Sequence, residues 1–168
     1  MKRIGEDARA CLECGTRMES TREDYVYEPV AGLRVLLQKV QVARCSECRT
    51  LVPAIPKIAQ LHRVIASSLV QKATSLAPPE IRYLRKHLGF SGEEFAHRMG
   101  VRRESVSRWE TGKEPMGPVA DRLLRLMVVT QEPVAEYALD RLAQIKRVAK
   151  AARLTMLEGE TGWELVAA

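Results

Sequence analysis

The stretch Ser91-Gly92-Glu93-Glu94-Phe95-Ala96-His97-Arg98-Met99-Gly100-Val101-Arg102-Arg103-Glu104-Ser105-Val106-Ser107-Arg108-Trp109-Glu110 decides how most of this chain folds. Ser91 followed three residues later by Glu94 is a capping box, so a helix opens there. Phe95 and Met99 lie four apart and form one apolar stripe. Ala96 is small where two helices must cross closely, and Gly100 suits a left-handed turn between them. Val101, Val106 and Trp109 supply the inner face of the next segment. The pattern is that of two helices joined by a short turn, with an ordinary helical hairpin in a core as the alternative.

With Val106 and Trp109 inward, Arg103, Glu104, Ser107, Arg108 and Thr111 point away from the core. Arg108 can make paired hydrogen bonds to guanine O6 and N7, and Glu104 can accept from cytosine N4. Arg102 and Arg103 stand at the helix start, where they suit phosphate contacts that position a protein without reading sequence. Arg82, Arg85, Lys86 and Lys113 either add to that footprint or are plain solvated charges. Trp109 reads as core rather than as a base-stacking residue.

Outward from this stretch, helical patterns cover 79–88, 91–99, 103–111 and 118–128, with breaks at Gly89, Gly100 and Gly112 and Pro118 at the last start. A helix over 57–72 carries Ile58, Leu61, Ile65 and Leu69 on one stripe and reads as a packing linker. Residues 133–152 give one more amphipathic pattern, through Ala138, Leu142, Ile145, Ala149 and Ala152. The end of the chain, from Leu154 to Val166, is expected to form a hairpin.

The N-terminal third is different in kind. Its four cysteines, the only ones in the chain, form two Cys-x-x-Cys pairs, Cys11/Cys14 and Cys45/Cys48. Two strands around Ala31-Gly32 separate the pairs, one at 25–30 and one at 33–42. A redox Cys-x-x-Cys works alone beside a βαβ unit, so two pairs in a small β-rich segment point to one tetrahedral Zn²⁺. Four thiolates close the coordination sphere, so the ion is expected to be structural. So small a segment needs that ion for stability. Gly15 follows the first pair at a position that tolerates positive φ, and Arg49 holds the equivalent place after the second. His62, His87 and His97 are read as solvated or helix-surface residues.

The 168 residues are 46% hydrophobic and 29% charged, which is ordinary for a globular protein. A net charge of +6 permits a polyanionic partner without requiring one. No apolar run reaches the ~18 residues of a membrane span, and the N-terminus lacks the apolar stretch of a signal peptide. Paired cysteines in such a chain imply a reducing compartment, the cytoplasm. No nucleophile-base-acid constellation is evident, so no enzyme is expected.

The run Pro79 to Ser91, followed by Val106-Ser107-Arg108-Trp109-Glu110-Thr111-Gly112, resembles Xre/Cro-type helix-turn-helix domains. Together with the N-terminal cysteine pairs, residues 8–130 resemble the YgiT/MqsA-type family of zinc-binding antitoxins and transcriptional regulators. The resemblance implies a structural zinc held by Cys11, Cys14, Cys45 and Cys48, and dimerisation through the helical domain. It also implies binding to palindromic double-stranded operators with Arg108 as base reader, and a cognate toxin held by the zinc domain. Three features depart from the pattern. Gly92 stands where many such domains carry glutamine, Arg102 replaces the usual Ser/Thr cap, and the tail after 130 is longer. That tail suits an added dimer contact or a regulatory role.

The expected fold is therefore α+β with two domains: a small β-rich, zinc-ribbon-like N-terminal domain and an all-α helix-turn-helix domain with a C-terminal extension. The expected boundaries are 1–53 for the zinc domain, 54–76 for a linker helix, 77–130 for the DNA-binding domain and 131–168 for the extension. The expected function is a sequence-specific, homodimeric autorepressor of the MqsA antitoxin type. A standalone Xre-type regulator without a toxin, or a toxin-neutralising protein with secondary DNA binding, are the alternatives.

Overall fold

A computed structural model describes residues 10–131, 151, 153–159 and 162–167. The architecture is α+β in two domains, a sheet region bearing the cysteines and a helical region. Strands β1 (Met18–Val30) and β2 (Leu33–Cys45) form a long antiparallel hairpin, turning at Ala31-Gly32 with Gly32 at φ 87°. The period-2 burial of β2 sends Leu33, Val35, Leu37, Val40 and Val42 into the core. A register shift between Glu23 and Tyr25 lies opposite Lys39, which has φ 56° and donates its N–H to Asp24 Oδ1 at 3.1 Å. This bulge keeps Leu37 and Val40, three apart, on the same buried side.

The other edge of β2 is shared by two strands. β3 (Leu51–Ala54) pairs antiparallel with residues 41–44, and β4 (Leu154–Glu158) pairs parallel with residues 35–38. β5 (Trp163–Ala167) then pairs antiparallel with β4, giving the order β1-β2-β4-β5 with β3 beside β2. The expected terminal hairpin is thus present, and it completes the sheet begun more than a hundred residues earlier. Leu154, Met156 and Trp163 are all buried there. The Trp163 indole N–H donates to Pro56 O at 2.7 Å, and its backbone N–H to Gln60 Oε1 at 3.1 Å. The amphipathic pattern expected at 133–152 falls, but for Ala151, outside the described residues.

Among the described residues, five helices follow the N-terminal strands: α1 (Ile58–Gln71), α2 (Pro78–His87), α3 (Gly92–Met99), α4 (Arg103–Thr111) and α5 (Pro118–Gln131). α1 buries Leu61, Ile65, Ala66, Leu69 and Val70, while Ile58, expected on that stripe, is 44% exposed in the first turn. One continuous core runs from the inner sheet face through α1 into the helical domain.

A buried polar network fixes the join between α1 and α2. Arg125 donates to Asp121 Oδ1 (2.6 Å) and to the carbonyls of Val70, Lys72 and Thr74 (2.6–2.8 Å). Its guanidinium thereby satisfies acceptors at and beyond the C-terminus of α1 that no helical N–H can reach. Asp121 Oδ2 accepts from Leu76 N–H at 2.7 Å, and Glu80 accepts from Ala77 N–H and from the Lys72 ammonium. Glu80, Asp121 and Arg125 are each at most 1% exposed. Every buried charge in the set is paired, as burial requires.

Candidate functional site

Two sites take shape from this scaffold. In the first, residues 11–15 and 45–49 form matching knuckles. Gly15 N–H donates to Cys11 O (2.8 Å) and Arg49 N–H to Cys45 O (3.1 Å), and a strand-like bond closes each loop, Cys11 N–H to Thr16 O and Cys45 N–H to Thr50 O. Both fifth positions are left-handed, Gly15 at φ 75° and Arg49 at φ 60°. Arginine therefore takes, at some strain, the conformation that glycine takes freely.

The pairing of Met18 with Cys45 across the hairpin brings the knuckles together. All four sulfurs lie within 4.8 Å of one another, with Cys11–Cys48 at 3.4 Å, Cys14–Cys45 at 3.3 Å and Cys14–Cys48 at 3.5 Å. These separations are too long for a disulfide and near the ~3.8 Å edge of a tetrahedron with ~2.3 Å Zn–S bonds. The donor set fits one thiophilic ion. Cys14 is already inclined to ionise: the Thr16 hydroxyl and backbone N–H lower its pKa to about 6. The Cys11 thiol is lowered by the backbone N–H groups of Cys14 and Glu13. Among the described residues, Cys11, Met18 and Cys45 form a small buried cluster at the site, apart from the main core.

The second site is the pair α3–α4. Ser91 Oγ accepts from Glu94 N–H (3.1 Å) while Glu94 Oε2 accepts from Ser91 N–H (2.8 Å), the reciprocal box the sequence predicts. The Ser91 backbone N–H, and then the Ser91 side chain, hold the Glu94 carboxyl below its ordinary pKa. Gly100 caps α3 at φ 65°, and Val101 N–H returns to Ala96 O at 3.0 Å. Phe95, Ala96, Met99, Val106 and Trp109 are buried between the helices.

Arg102 sits at the α4 N-cap and makes no side-chain cap bond, so its guanidinium is free to leave the helix. Arg102, Arg103, Glu104, Ser107, Arg108 and Thr111 are all exposed, on one outward surface. Thr111 Oγ1 donates back to Ser107 O at 2.7 Å, which ties up its only proton. Arg108 approaches Glu114 at 3.6 Å with both side chains more than half exposed, a surface pair of small energy that a ligand can displace.

Two basic residues are not where a phosphate footprint needs them. Arg85 donates twice to the Glu110 carboxylate (2.5 and 3.1 Å) and once to Phe90 O, and Arg82 donates to Glu110 O at 2.9 Å. They clamp the end of α4 onto α2 instead, while Lys86 and Lys113 remain exposed. Charge pattern alone does not distinguish the two fates.

His97 is exposed as expected, but His62 is not a solvated residue. Tyr83 donates its hydroxyl proton to His62 O (3.0 Å) and sits 2.8 Å from His62 Nδ1, and Tyr27 lies 3.1 Å from Nε2. This arrangement suits a neutral ring with the proton on Nδ1. Burial, and then the neighbouring His87, lower the His62 pKa.

A helix-turn-helix family model matches residues 81–130, spanning α2 to α5. No curated protein matches the chain in sequence. With the exposed face of α4, this match supports a helix-turn-helix DNA-binding region over residues 81–130. No helix among the described residues is long and apolar enough to cross a membrane.

Proposed function

We propose that the protein is a sequence-specific transcriptional regulator that represses its own operon from the cytoplasm, in the manner of MqsA-type antitoxins. The observation that carries this reading is the sorting of α4: Val106 and Trp109 are buried, and Arg103, Glu104, Ser107 and Arg108 are exposed on the opposite surface. Arg108 and Glu104 read base edges, and Arg102 and Arg103 hold phosphates. A homodimer sets two such helices ~34 Å apart, matching a palindrome. Support for dimerisation comes from α5, where Val119, Leu123 and Leu126 form an exposed stripe at helical spacing. Zn²⁺ bound by Cys11, Cys14, Cys45 and Cys48 is structural, and the protein acts by binding rather than catalysis.

The test is binding of the wild-type protein to the DNA upstream of its own gene and to a scrambled duplex of equal length. Preference for the upstream DNA by ~10³-fold or more is expected. Equal affinity for the two contradicts the reading.

A second role, holding a toxin through residues 1–53, is favoured by Leu12, which is 98% exposed at the tip of the first knuckle. An adjacent short reading frame whose product co-purifies with the full chain supports this role. A gene standing alone favours the solitary regulator.

A further inference from the structure

The two ends of the sheet are unlike. β1, at one end, carries Glu19, Arg22, Glu23, Asp24 and Glu28, contains Pro29 and is broken by two register shifts. Charge, proline and bulges are the devices that stop an edge strand from pairing with another chain. β5, at the other end, has a single charged residue, Glu164, no proline, and one register shift against β4, at Val166. Its Leu165 and Val166 are 41% and 55% exposed, and β4 is its only strand partner among the described residues. β5 is also held at its start, by the two hydrogen bonds of Trp163 to Pro56 and Gln60 and by the Gly159–Gly162 backbone pair. An anchored apolar edge is a ready template for a further strand and has little ordering cost left to meet.

We propose that β5 pairs antiparallel with β5 of a second copy of this chain, about a twofold axis at Leu165, so that one sheet runs through both copies. The strand is self-complementary in charge in that register. Leu165 meets the second copy's Leu165, and Glu164 meets the second copy's Val166, so no like charges are opposed. β1 paired with itself instead brings together two strands each bearing four carboxylates and one arginine. The surface is separate from the α5 stripe, so this proposal extends the homodimer reading without resting on it.

The experiment is sedimentation of the full-length, zinc-loaded protein over a range of concentrations, with Leu165→Lys, Val26→Lys and Leu123→Lys alongside. Val26 lies on the protected edge strand, 43% exposed, and serves as control. Leu165→Lys is expected to weaken association by about tenfold or more, and Val26→Lys to leave it unchanged. In the wild type, amide exchange over 163–167 is expected to slow as concentration rises. This second measurement decides the matter if Leu165→Lys fails to fold. Association of Leu165→Lys equal to wild type, or exchange independent of concentration, overturns the proposal. If Leu123→Lys alone dissociates the protein, the helical dimer stands and the β5 pairing falls.

Discussion

Among the described residues, the buried set around the four cysteines comprises Cys11, Met18 and Cys45, whereas the helix-turn-helix draws on Ile81, Leu84, Phe95, Ala96, Met99, Val106, Trp109 and Leu124. The first group is too small to bury much apolar surface, and its geometry is set by two backbone knuckles that point sulfurs at one spot. The second group packs a normal core, stitched by the buried Asp121–Arg125 pair and the half-buried Arg85–Glu110 pair. The first region thus offers a donor set that one thiophilic ion would complete, and the second rests on a core it shares with α1 and the inner sheet face. The exposed chemistry follows the same division, because the readable face of α4 is offered by the region with the larger apolar core.

Removing the metal tests this contrast most severely. A structural Zn²⁺ contributes on the order of 10–16 kcal/mol in small zinc domains. A strong chelator, or Cys45→Ser, is expected to abolish amide protection over 10–17 and 44–50 while the helical circular dichroism of α2–α5 persists. Unchanged protection in the knuckles after chelation removes the ion from the account.

The reverse experiment strikes the other region. Asp121→Ala leaves the Arg125 guanidinium, 1% exposed, without its carboxylate. Breaking a buried pair in this way costs about 3–5 kcal/mol. Denaturant unfolding of the helical signal should show that loss, with the zinc content retained. A loss below ~1 kcal/mol means the network is not a structural element.

pH gives the smallest effect, located where the sheet meets the bundle. The folded His62 has a lowered pKa, so the unfolded chain takes up a proton near pH ~6.5 that the folded one refuses. The associated stability is whole above that pH and declines as pH falls through it. The melting temperature is expected to drop between about pH 7.5 and pH 5.5, and His62→Gln to flatten that drop. An equal drop in the variant assigns the pH dependence to other groups.

The helical half was legible in the sequence because each helix carries its own punctuation: Ser91 with Glu94, Gly100, Gly112, Pro118. These are local signals, and the structure uses each as read. The cysteine spacing was legible for the same reason, since each knuckle is closed by bonds within six residues. What escaped was non-local. The hairpin from Leu154 to Val166 was expected, but its parallel pairing with 35–38 depends on a register between segments far apart in the chain. Arg82 and Arg85 look like any exposed basic residues until Glu110, on another helix, is brought beside them. Likewise, nothing local to His62 announces Tyr27 and Tyr83.

The division of labour between the two regions rests finally on α4, and the most direct measurement is Arg108→Ala assayed on an upstream duplex and on a scrambled one. The account predicts a loss of roughly 1–3 kcal/mol on the upstream duplex alone, with relaxed preference at one base pair. An equal loss on both duplexes makes Arg108 a phosphate contact and contradicts base reading by this face.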